Sequence, residues 1–146
     1  ITTSRYYLGG YNKNLPITNE MYGYERGTLR DDPDSPLYWD GMVGLMYPSD
    51  YGYAAGNTCV NGTKLYEYEG GCMNKDWLYI SNTYQWLMSP DGGRRLTASF
   101  VDSSGFVGRG LDVDDAYLAA RPVFYLTSSA SITDGEGTSA APYILS

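Results

Sequence analysis

Apolar positions in this chain come in short bursts, each closed by glycine, proline or a polar cluster. Ser4 to Gly9 reads as a first strand, ended by Gly9 and Gly10. Thr18 is placed to N-cap a short helix that runs to about Arg26 and stops at Gly27, with Glu20 in the first turn where the helix dipole favours a carboxylate. Residues 28–38 are polar, contain Pro33 and Pro36, and predict a surface loop. Gly41 to Pro48 is an apolar run of strand length and predicts a buried central strand. Asp50 to Gly56 reads as a turn or a single helical turn, and 57–72 as a loop. Asn74 to Ile80 is a short amphipathic piece, with Trp77 and Leu78 expected to point inward.

In the second half, Tyr84 to Ser89 predicts a strand ending at Pro90, followed by a turn at Asp91-Gly92-Gly93. Leu96 to Val101 and Gly105 to Gly108 flank Asp102-Ser103-Ser104-Gly105, a hairpin signal. Residues 109–116 read as an acidic loop. Leu118 to Leu126 predicts a strong strand that Pro122 places at a sheet edge or a bulge. Residues 133–140 are turn-like, and Pro142 to Leu145 predicts a terminal strand. No repeat and no linker interrupts the pattern, so residues 1–146 read as one domain.

Composition sharpens this picture. The chain has 16 tyrosines and 18 glycines, with only 18% charged residues. Tyrosine and glycine form helices poorly, which favours short strands joined by shaped loops. The net charge of −7 disfavours partners with phosphate backbones and direct contact with anionic membranes. No apolar run approaches the 18 residues of a membrane-spanning helix. The chain starts at Ile1 rather than Met, so we expect a shortened chain from which an export signal or anchor has been removed. Cys59 and Cys72 are its two cysteines. In a tyrosine- and glycine-rich acidic chain they predict a disulfide and an extracellular or cell-surface location; the alternative is a pair of buried reduced thiols.

The run from Tyr84 to Leu126 resembles a family of gut-bacterial surface proteins. Its members pair a segment like Trp86-Leu87-Met88-Ser89-Pro90 with a hairpin like Phe100 to Val107, and close with a segment like Arg121 to Leu126. Gly44 to Ala54 resembles a second signature of that group, and the ending from Asp134 to Ser139, then Pro142 to Leu145, is also similar. The resemblance implies an α+β, C-type-lectin-like fold, with short antiparallel strands, one or two short helices and long loops. It lies in the branch shared with formylglycine-generating enzymes and with hypervariable display proteins, and its members often follow a pilin-like helix. The function implied is a non-catalytic display or adhesion module of a pilin-like or surface protein. Its partners would be other surface or pilus subunits, or host or bacterial glycans or proteins. A carbohydrate-binding lectin module, with or without calcium, is the first alternative. An enzyme of the formylglycine-generating branch is the second.

The chemistry within the chain fits a binding role better than a catalytic one. It has no histidine, which removes the commonest general base and most zinc and iron sites. Enzymes of the related branch need reactive thiols or histidine ligands, and here both thiols are expected to be joined. Asp40, Asp50, Asp76, Asp112, Asp114 and Asp115 are available for a glycosidase-like carboxylate pair, but none sits in a recognisable motif. Asp112-Val113-Asp114-Asp115 and Asp31-Asp32-Pro33-Asp34 are hard-oxygen clusters of the type calcium uses, yet neither matches a calcium-loop pattern. We therefore expect no cofactor, with calcium as the alternative. For binding we expect exposed Tyr51, Tyr53, Tyr66, Tyr68 and Tyr117, with Asp112, Asp114 and Asp115, since tyrosine offers contact area at low entropy cost. Trp77 and Trp86 are expected in the core. Arg121, inside an apolar stretch, should pair with a carboxylate of the 112–115 loop. Asn61-Gly62-Thr63 matches a glycosylation pattern but reads as a turn.

Overall fold

A computed structural model describes residues 1–9, 15–28, 34, 36–91, 96–137 and 140–146. It is α+β, with short antiparallel strand pairs and three short α-helices among the described residues. None of these helices is long and apolar enough to cross a membrane.

The centre is a three-stranded antiparallel sheet of β4 (Gln85–Pro90), β5 (Thr97–Val101) and β6 (Val107–Asp112). Along β4 burial alternates with the pleat: Gln85, Leu87 and Ser89 are buried while Trp86, Met88 and Pro90 are half-buried. The hairpin turn between β5 and β6 falls where its sequence predicts, with the Asp102 carboxylate accepting from the Ser104 N–H at 2.7 Å. Two tyrosine hydroxyls fasten that turn from below: Tyr51 donates to the Gly105 carbonyl at 2.8 Å and Tyr79 to the Ser103 carbonyl at 2.6 Å. Further along, Ala98 faces Leu111 and Ser99 faces Arg109, so Gly110 is the extra residue of a bulge. Its φ of +86° is a conformation that a side chain would resist.

Against the sheet pack α2 (Pro48–Ala54) and the 3-10 turn Leu65–Glu67; α1 (Thr18–Glu25) and α3 (Asn57–Gly62) pack on α2 and on each other, and a second 3-10 turn spans Met73–Lys75. The core joins Met21, Met46, Leu65, Leu87, Val101 and Val107 to Tyr51, Tyr68 and the half-cystines. Cys59 and Cys72 are bonded, their Cα atoms 5.8 Å apart. Helix α2 starts with Pro48 at its first position, and Asp50 accepts from the Tyr47 N–H at 2.9 Å. Glu25, the last residue of α1, is fully buried and receives the Ser49 N–H at 2.8 Å and the Ser49 hydroxyl. It therefore satisfies a free N–H at the start of α2 from a neighbouring helix. Arg26 donates to the same carboxylate at 3.0 Å. Burial still dominates and lifts Glu25 to about 7, against the Ser49 bonds and Arg26 that hold it down.

Helices α1 and α2 touch through Gly52. A Cβ there would overlap the Thr18 hydroxyl and come within 2.8 Å of Leu65 Cδ2. Overpacking of this kind costs about 1–3 kcal/mol, while alanine's better helix propensity returns about 1 kcal/mol. Gly52→Ala should thus lower the urea midpoint modestly; an unchanged or raised midpoint would show slack at this crossing.

Several sequence expectations change here. Thr18 caps nothing: Ile17 holds the N-cap position, and the buried Thr18 hydroxyl is hydrogen-bonded to Tyr68 Oη at 2.8 Å. The run Gly41 to Pro48 is not one central strand. Tyr38–Gly41 forms β2, paired with β1 (Ser4–Tyr7); Gly44–Leu45 forms β3; and Pro48 opens α2. The stretch Leu118 to Leu126 is strand only at β7 (Pro122–Val123), which pairs with β3. Residues 57–72 are largely helical, because the loop closed by the disulfide turns inward to bury Leu65 and Tyr68. Asn61 lies within α3 and takes no positive φ. The terminal strand β9 (Ile144–Leu145) pairs with β8 (Ile132–Asp134). Most of the expected 28–38 loop, the Gly92-Gly93 turn, and Asp31 and Asp32 lie outside the described residues.

Candidate functional site

The most distinctive surface feature starts from a turn. Asp76 Oδ1 accepts from the Leu78 N–H at 2.8 Å, and the Tyr79 N–H bonds back to the Asp76 carbonyl at 3.2 Å. This aspartate-led turn buries Asp76 and Leu78 on one side and puts Trp77 at the outer corner. Trp77 is 76% exposed, more than any other large apolar residue described. That corrects the expectation of a core tryptophan; Trp86, half-buried on β4, comes closer to it.

Trp77 stands at the wall of an open cleft of about 480 Å³. Asp50 and Tyr53 reach it from α2, Leu78 from the turn, and Arg121 and Tyr125 from either side of β7. Its size falls within the roughly 300–1,000 Å³ usual for small-molecule sites. Tyr53 and Tyr125 are 43% and 47% exposed. The Tyr53 hydroxyl donates to Asn19 Oδ1 at 2.8 Å, which fixes its ring. Arg121 donates through Nη2 to the Leu78 carbonyl at 3.0 Å, so its guanidinium is tethered to the same turn that carries Trp77. It acts electrostatically on Asp76, and among the described residues no salt bridge joins it to the 112–115 loop as expected. Burial lifts Asp76 to about 7, while the Leu78 N–H and then Arg121 pull it back. Its Oδ2 has no partner among the described residues.

Of the tyrosines expected to face solvent, Tyr53 lines the cleft. Tyr51 and Tyr68 are fully buried and belong to the core, a correction with a physical cause. Each ring packs in the core with the half-cystines, and each hydroxyl finds a backbone carbonyl, Gly105 for Tyr51 and Gly52 for Tyr68. Tyr66 is exposed on its 3-10 turn beside Lys64, outside the cleft lining. Tyr117 is 62% exposed and packs edge-on against Tyr84, 5.8 Å between centroids. Asp112 and Asp114 are exposed and Asp115 half-buried near the end of β6, and none of the three lines the cleft.

The acidic residues weighed for catalysis have separate tasks. Asp40 is held by Arg5 at 3.0 and 3.1 Å across β1 and β2, which lowers its pKa; Asp50 caps α2; Asp76 builds the Trp77 turn. Among the described residues no three acidic or cysteine side chains gather as a metal cage. Sequence reasoning named Tyr53, Asp50 and Arg121 but did not bring them together, and it overlooked Tyr125. The usable signal was Asp76-x-Leu78, an aspartate placed to bond two residues ahead, which exposes the residue between. No protein-family model, curated protein or solved structure matches this chain.

Proposed function

We propose that this chain is a non-catalytic display or adhesion module working outside the cell, on a C-type-lectin-like scaffold, and that it holds its ligand in the Trp77 cleft. The carrying observation is Trp77 itself. A tryptophan three-quarters exposed at the edge of a cleft leaves a large apolar ring in water, and such rings are the usual anchors of binding sites. The disulfide supports the location, since such bonds persist in oxidising compartments. The missing histidine and the bonded thiols speak against the chemistry of the enzyme branch.

Within this reading, a carbohydrate ligand is favoured over assembly with other surface subunits by the aromatic set Tyr53, Trp77 and Tyr125. Aromatic faces suit the C–H-rich face of a sugar ring. A broad glycan array, run with and without chelator, tests it. Binding should survive chelation if no calcium takes part, and Trp77→Ala should weaken it at least tenfold. Because Trp77 is so exposed, that variant should keep its stability within about 0.5 kcal/mol. A Trp77→Ala protein that binds as tightly as the parent would remove the cleft from the mechanism. An array with no binder would leave the subunit role.

A further inference from the structure

Building on the glycan reading above, we infer that the Trp77 cleft takes a sugar bearing a single carboxylate, seated on Arg121 with its ring against the aromatic residues that line the cleft. The reason lies in how the arginines are paired. Arg5 has Asp40 at 3.0 Å, Arg26 has Glu25 at 3.0 Å and Arg109 has Asp91 at 3.8 Å. Among the described residues no carboxylate lies within 4 Å of the Arg121 guanidinium. Its one hydrogen bond among the described residues, to the Leu78 carbonyl, occupies Nη2 and leaves the other N–H groups to serve a ligand.

A guanidinium accepts a carboxylate through two parallel bonds, which adds direction as well as strength. Asp50 completes the complementarity. One of its oxygens is taken by the Tyr47 N–H, and the other is available to accept from sugar hydroxyls. Tyr53, Trp77 and Tyr125 line the same cleft and supply apolar contact. A neutral sugar would use the aromatics and Asp50 but gain nothing from Arg121. A peptide C-terminus would use Arg121 but would leave the aromatic residues of the cleft without a ring to stack on, so it is the alternative that the test must separate. The net charge of −7 repels polyanions at a distance, which confines the inference to one acidic residue in an otherwise neutral glycan.

The test uses a trisaccharide ending in one hexuronic acid, the same trisaccharide with its carboxyl reduced to the alcohol, and a short neutral peptide with a free C-terminus. Binding is followed by titration and by the Trp77 indole N–H resonance. The acidic trisaccharide should bind at least tenfold tighter than its reduced form and shift the Trp77 signal. Arg121→Gln should erase that preference, so that the acidic and reduced trisaccharides bind the variant equally. Arg121→Lys should keep part of the preference, which covers the case in which the glutamine variant folds poorly. Equal binding of the two trisaccharides would overturn the inference and leave a glycan-binding module standing. Binding of the peptide alone would overturn it and the glycan reading, while leaving the cleft as a binding site. Silence of the Trp77 resonance with all three would overturn both the inference and the use of the cleft.

Discussion

Cys59→Ala, or reduction of the wild-type protein, should lower stability by about 3 kcal/mol, with an outer range of about 2–5 kcal/mol. The bond joins residues 13 apart in sequence, and closing a loop of that length in the unfolded chain removes entropy worth roughly this amount. Both half-cystines are core residues, at 2% and 7% exposure, so the alanine variant also loses packing and leaves Cys72 as a buried thiol. The double variant Cys59→Ala/Cys72→Ala separates these contributions from the cross-link. Urea denaturation with and without reductant provides the measurement. Equal midpoints under the two conditions would mean that the helical insert from 57 to 72 holds its shape through Leu65 and Tyr68 alone.

The second large effect is a dependence of stability on pH. Glu25 and Asp76 are both raised to about 7, in each case because burial disfavours the charged form. Arg26 and Asp50 act on Glu25 in opposite directions; Arg121 lowers Asp76. A carboxyl whose folded pKa lies above its unfolded value keeps its proton in the folded state over a window where the unfolded chain has released it. Stability therefore falls as pH rises from about 4 to about 7 and levels off above that. A shift of this size corresponds to on the order of 3 kcal/mol per group. Asp40, whose pKa is lowered by Arg5, acts the other way at lower pH, so the maximum should fall in mildly acidic solution. The urea midpoint should be clearly higher at pH 5 than at pH 8. Glu25→Gln, which keeps the shape and removes the charge, should abolish about half of that difference, and Asp76→Asn the other half. A midpoint that is level or rising between pH 5 and pH 8 would show that the Ser49 and Leu78 donors outweigh burial.

What the sequence made legible follows local chemistry. The Asp102–Gly105 hairpin was readable because a turn needs little beyond four residues, and β4 because Trp86, Leu87 and Met88 form a short apolar run closed by Pro90. The cystine was readable from composition. Gly41 to Pro48 was misread because a short apolar run has no period of its own; Pro48 and Asp50 together convert its end into a helix start. Tyr51 and Tyr68 were misplaced for another reason. Tyrosine belongs on a surface or in a core equally well, and the choice rests on carbonyls 54 and 16 residues away in sequence. The cleft was invisible for the same cause, since its walls come from α2, the Trp77 turn and the flanks of β7.

The cystine also governs how the molecule answers a pull. Tension along the polypeptide travels from Cys59 directly to Cys72 and never enters the residues between them, because a covalent shortcut carries the load. Leu65 and Tyr68, both wholly enclosed, ride in that unloaded segment. Stretched at its ends, the domain can lose its two-stranded ribbons while the segment between the half-cystines stays closed on itself.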